Sequence, residues 1–168
     1  YFHGVLCLEK DPTRRYVGTI RTTSSSLLED SISKRFVWNF YNRVERYLYV
    51  EDTTASWTYS SAAWRQVRGQ STNKVETVFG AASTVNGSSF IMWNGASGTG
   101  VSLYTSIGID STTTPSATIT TMLMPTLVAQ YWWPSSSVLD TAVTAGYHAF
   151  NWIEYAHATG LTGMGTVG

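Results

Sequence analysis

The chain has 168 residues and a mass of 18.5 kDa, the size of one domain. Aromatic residues make up 14% of it and charged residues 13%, against a usual charged share of about 25%; it is too apolar for intrinsic disorder, and no apolar run approaches the roughly 20 residues of a transmembrane helix. The formal net charge is zero, which argues against a nucleic-acid binder, normally basic as a whole.

The zero hides a split. Every Lys and Arg lies between Lys10 and Lys74, where eleven basic and seven acidic side chains give residues 1–74 a net +4. Beyond Lys74 the only charged side chains are Glu76, Asp110, Asp140 and Glu154, a net −4. Ser and Thr number 20 and 24. The single cysteine, Cys7, excludes an internal disulfide framework and a cysteine zinc cluster. A chain that opens at Tyr1 without an initiator Met is expected to be one domain, 1–168, of something longer.

In chain order the dominant period is two, the strand signature. His3 to Leu8 reads as a short strand, Asp11-Pro12-Thr13 as a turn, and Arg15 to Arg21 as an alternating strand. Ser26 and Glu29 match a capping box, so Leu27 to Ser33 is expected to hold a helical turn. Lys34 to Val50 is rich in aromatic and β-branched residues and contains no Gly or Pro; it reads as one long strand, with a bulge near Glu45 as the variant. Short strands follow at Ser56–Tyr59, Ala63–Arg68 and Lys74–Phe79. Asn86-Gly87 is hairpin chemistry between Ala81–Val85 and Ser88–Trp93. Asn94 to Gly100 is a loop, Val101 to Ile109 alternates, and Asp110 to Pro115 is a turn. Strands are expected at Ser116–Met124, Leu127–Trp133 and Gly146–Tyr155, and a helical turn within Ser135–Val143. Eight to ten short strands separated by turns predict an all-β fold, an antiparallel β-sandwich or jelly roll.

Chemistry-bearing patterns are sparse. His3, His148 and His157 have no metal-ligand spacing, although pairing of the first and last strands would bring His148 towards His3. No G-x-S-x-G elbow, dinucleotide fingerprint or phosphate loop is present. The adjacent carboxylates Glu29-Asp30 and Glu51-Asp52 would point opposite ways on a strand. The oxygen-rich run Asp110 to Thr114 lacks the acid spacing of a calcium loop and reads as a plain turn. No metal, cofactor or catalytic residue is therefore expected, and the chain is read as non-enzymatic.

Two surfaces stand out. Tyr131, Trp132 and Trp133, followed by Pro134, form a candidate ligand site, because aromatic faces held beside a fixed turn stack on sugar rings. Alternation offers a second use, with one indole in the core and its neighbour at a subunit contact. Arg35, Arg43 and Arg46, interleaved with Tyr41 and Tyr47, form a candidate subunit or partner interface. Such a mixture also resembles a nucleic-acid stacking surface, but the acids Glu29, Asp30, Glu45, Glu51 and Asp52 lie among the bases and favour ion pairs.

The runs Arg14-Arg15-Tyr16-Val17-Gly18-Thr19-Ile20-Arg21-Thr22-Thr23, Glu29-Asp30-Ser31 and Lys34-Arg35-Phe36-Val37-Trp38-Asn39-Phe40-Tyr41-Asn42-Arg43, with Ser56-Trp57-Thr58-Tyr59 and Trp64-Arg65-Gln66, resemble a C-terminal module of tailed-bacteriophage structural proteins. Asp110-Ser111-Thr112-Thr113, Gly146-Tyr147-His148 and Trp152-Ile153-Glu154-Tyr155 are further echoes, whereas the Gly-rich tail Leu161 to Gly168 departs from the pattern. The resemblance implies a virion component with an all-β fold, trimeric by analogy with such appendages, and supplies no catalytic residue. It leaves three roles open: a fibre or spike module touching a host-surface glycan, a capsid decoration protein bound to the shell and other virion proteins, and a polysaccharide hydrolase. An excess of Trp and Tyr over what one small core hides independently predicts contact between subunits. No nucleic-acid partner and no membrane insertion are expected.

Overall fold

A computed structural model describes residues 7–8, 11–23, 27–95, 103–120, 132–157 and 161–164. Among these residues there is no α-helix, and the chain is all-β. Its strands are β1 (Cys7–Leu8), β2 (Asp11–Arg15), β3 (Gly18–Ile20), β4 (Lys34–Arg35), β5 (Val37–Asn39), β6 (Trp57–Tyr59), β7 (Trp64–Gln66), β8 (Lys74–Phe79), β9 (Ser83–Gly95), β10 (Leu103–Ile109), β11 (Thr118–Thr120), β12 (Trp132–Val143), β13 (Gly146–Ala156) and β14 (Leu161–Met164).

Two five-stranded sheets form the sandwich. The first runs β10-β13-β8-β4, with β7 beside β8 on the same edge of β13; the second runs β11-β12-β9-β14-β6. Small pairs β1-β2 and β3-β5 stand apart from them. The ladders are antiparallel except β4 on β8, where Lys34 meets Glu76 in parallel register. Each sheet turns one face inward, as period-two alternation requires. Tyr59, Ile91 and Trp93 of the second sheet close on Leu103 and Ala156 of the first, with Val67, and a smaller cluster joins Ile107, Ala117 and Leu139. Between these clusters lies a hydroxyl seam. Ser89 shares hydrogen bonds with Ser137 (2.7 Å) and Thr105 (3.2 Å), the Trp152 indole donates to Thr105 Oγ1 (2.9 Å), and the Thr105 N–H donates to Ser135 Oγ (2.9 Å). These bonds satisfy polar groups that would otherwise be costly to bury.

Several expectations change. Asn86-Gly87 makes no hairpin. Both residues lie inside β9, Asn86 opposite Asp140 and Gly87 opposite Leu139, in a register unbroken from Ser83–Val143 to Asn94–Trp132. Twelve residues of partner strand outweigh a local turn preference, and a Cβ at Gly87 would press on Ile107 Cδ1 at 3.3 Å. The expected helical turn in Ser135–Val143 is instead strand β12, because alternate serines (Ser135, Ser137) are buried in the seam. No helix forms within Leu27–Ser33. Isolated bridges Thr22–Leu28 and Asp30–Arg35 occupy that stretch. Asp11-Pro12-Thr13 falls within β2. The expected long strand Lys34–Val50 is instead two short ones, β4 beside β8 and β5 beside β3, broken at Phe36 and ending at Asn39, where the Asn39 side-chain carbonyl accepts the Tyr41 N–H (2.8 Å) and turns the chain. Residues 42–54 then carry no regular secondary structure. The strands at Lys74–Phe79, within Val101–Ile109 and over Gly146–Tyr155 form as expected.

Candidate functional site

The N-terminal third is laid against the outer face of the first sheet. Arg21 places its guanidinium 3.3 Å from the Tyr147 ring centroid and 5.2 Å from that of Phe36. The Tyr147 hydroxyl donates to Glu76, which also pairs with Lys74 (3.2 Å). Trp38 is buried and packs with Tyr16 and Phe40 at centroid distances of 6.1 and 5.9 Å. Gly80 makes this approach possible, since a Cβ there would lie 2.6 Å from Trp38 Cζ3.

Beyond Phe40 the chain leaves the sandwich and presents the candidate interface. Arg43 lies over the Phe40 ring (4.3 Å) and donates to the Phe40 carbonyl (3.2 Å), beside exposed Tyr41. Arg46 pairs with Asp30 (2.9 Å). Arg35 is half-buried near that pair. Burial, then the neighbouring Arg46 charge, lowers its pKa, and its Nε is buried without a hydrogen-bond partner. Tyr47 is 96% exposed. Thus Arg35 and Arg46 gather around Asp30, and Tyr41 and Arg43 around Phe40. Three of the five acids among these bases form ion pairs, Lys34–Glu29, Arg46–Asp30 and Arg68–Asp52 at 2.9–3.1 Å, as does Arg14–Asp11 (2.9 Å), whereas Glu45 and Glu51 form none among the described residues.

Of the candidate ligand site, Trp133 alone has a described side chain. Tyr131 lies outside the described residues, and of Trp132 only the strand position is described. Trp133 is half-buried and packs on the larger core cluster. A different aromatic group was missed. Trp64, Tyr155 and Tyr104 sit in one cross-strand row over β7, β13 and β10, with ring centroids 5.5–6.3 Å apart. Their strands were legible, but not that those strands are neighbours.

The least expected group is Glu154. It is fully buried, yet its carboxylate accepts from the Trp57 indole (2.7 Å), Arg65 Nε (2.8 Å) and the Arg68 N–H (2.9 Å). Burial pushes its pKa above the usual carboxylate range, more strongly than these donors pull it down. Arg68 adopts φ 57°, turning its N–H to Glu154 while its guanidinium makes two 2.9 Å bonds to Asp52. One clue was available. Alternation puts Glu154 on the same face as Phe150 and Trp152, a carboxylate among core aromatics.

His3 lies outside the described residues, so its expected approach to His148 does too. His148 instead meets Asp110, Nδ1 to Oδ2 at 2.7 Å, while Nε2 faces the Thr144 carbonyl at 3.1 Å. Asp110, at φ 54°, also accepts the Ala149 N–H (2.8 Å). Both imidazole nitrogens face oxygens, and the His–Asp pair ties the turn after β10 to the start of β13. Among the described residues no three His, Cys, Asp or Glu side chains gather as a metal site. No helix there is long and apolar enough to cross a membrane. No family model, curated protein or solved structure matches the chain.

Proposed function

We propose that the chain is a non-enzymatic structural module of a tailed-bacteriophage virion, a β-domain of a homotrimeric fibre or spike appendage that contacts the host surface. One observation carries the assembly part of this reading. Of the eleven exposed large hydrophobic residues among those described, nine fall between Val17 and Tyr49. Single exposed apolar side chains are ordinary, but a concentration in one contiguous segment marks a surface that is covered in use. That segment overlaps the runs that carry the phage-module resemblance. The surrounding Arg residues are engaged by acids and rings, as suits a lateral protein contact better than a phosphate backbone.

Two measurements test the reading. Light scattering of the purified protein is expected to give three times 18.5 kDa; a single-chain mass removes the trimer. Antibody labelling of particles seen by electron microscopy is expected at a fibre or spike. Uniform labelling of the shell would replace this role with capsid decoration.

A further inference from the structure

We infer that the outer face of the second sheet is the seat for residues 41–49 of a second copy of this chain, a proposal that rests on the trimer reading above. The five strands of that sheet, β6, β9, β11, β12 and β14, contain a single charged residue, Asp140. On their outer face Phe90 and Val138 are 49% and 57% exposed. They lie on adjacent strands, each opposite a serine: Phe90 faces Ser136, and Val138 faces Ser88. Among the described residues they are also the only two exposed large hydrophobics outside the N-terminal segment. Freely solvated surfaces carry roughly 25–35% charged side chains. A sheet face with one carboxylate and two large apolar side chains is built to be covered.

The occupant follows from complementarity. Residues 41–49 expose Tyr41, Val44, Tyr47 and Tyr49, and carry Arg43 and Arg46. Aromatic and aliphatic groups match the Phe90–Val138 patch, and the segment's net +1 (Arg43 and Arg46 against Glu45) is opposite in sign to the lone Asp140. The segment is tethered by Arg43 on Phe40, by Arg46 on Asp30 (2.9 Å) and by the Tyr49 N–H on the Ile32 carbonyl (3.0 Å), and it belongs to no strand. It cannot reach this seat in its own molecule. Phe36, just before it, packs against Tyr147 on the first sheet, across the sandwich, and Trp38 packs against Gly80 in the turn after β8. Because the two patches differ, each copy gives one and receives one. Such a head-to-tail contact closes into a ring when the rotation permits.

The test uses substitutions at exposed positions, which spare the core. Val138→Arg is expected to drop the mass from three chains to one with an unchanged circular dichroism spectrum. Tyr47→Cys with Val138→Cys, in a Cys7→Ser background, is expected to form a disulfide between chains under oxidation. A three-chain mass retained by Val138→Arg, with no cross-link, overturns the inference and leaves the trimer standing on another surface. Loss of assembly without a cross-link overturns the pairing of these two patches. A wild-type protein that is already a single chain overturns the trimer and this inference with it.

Discussion

Glu154 concentrates the fold's electrostatics in one side chain. It joins the second sheet, through Trp57, to β7 and the Arg68 turn of the first. A carboxylate removed from water is tolerated only while its donors are in place, and each donor is stranded if it leaves. Glu154→Leu is therefore expected to cost about 3 to 5 kcal/mol, read as a lower urea midpoint with an unchanged slope. A loss below about 1 kcal/mol, the range of exposed ion pairs, would show that water reaches the site. Arg68→Gly should be milder for the Glu154 contact, because glycine adopts φ 57° freely and keeps the N–H that Glu154 accepts.

At the scale of elements, the long strands and the N-terminal third behave differently. The β9–β12 ladder and the β10–β13–β8 ladders share two buried faces and their hydroxyl seam. The β3–β5 pair has only a three-residue register and is held by Trp38, Phe36 and Arg21 on the first sheet. Gly80→Ala forces the Trp38 ring away from the turn it packs on. We expect faster amide hydrogen exchange across residues 16–40 while β9, β12 and β13 keep their protection. Equal loss of protection everywhere would make the N-terminal third part of one cooperative unit. The same contrast explains which sequence patterns misled. Asn86-Gly87 is turn chemistry overruled by a long partner strand, whereas Lys34–Val50 is strand chemistry that ends where, among the described residues, no strand lies alongside and Asn39 offers a local bond. Period-two alternation reports that a face is buried; it does not report what lies alongside.

For the whole molecule the charge split reads differently once folded. Two of the four acids after Lys74, Glu76 and Glu154, are buried and met by Lys74 and Arg65 from the other half. The halves thus neutralise each other within one sandwich, and Asp110 and Asp140 alone keep that acidity at the surface. A pH dependence of definite sign follows. Burial raises the pKa of Asp52, but bonds from Asn73, Arg68 and Thr54 outweigh it and bring the pKa from 3.8 down to about 2. Its stabilisation is complete above 3.8 and is lost as pH falls towards about 2. The shift corresponds to roughly 2 kcal/mol. Glu76 shifts the same way, with the Tyr147 and Lys74 bonds overcoming burial. Glu154 runs opposite. Its contribution is complete below 4.5 and declines as pH rises through its elevated folded value. Urea midpoints measured from about pH 2 to about pH 7 should show an acid slope that Asp52→Asn flattens. An unchanged slope would mean that Asp52 pairs equally in the unfolded chain.

The sequence by itself determined the all-β class, the positions of the principal strands β8, β10 and β13, and the lack of a motif for metal or nucleophile chemistry. These follow from alternation and residue type, which are local. The tertiary structure alone decided that Asn86-Gly87 stays extended, that Ser135 and Ser137 are buried, that Trp133 packs on the core, and that Glu154 meets Arg65 from 89 residues away. Each depends on which strand lies beside or across from another. Register is set by the burial of whole faces, and no local run of residues encodes it.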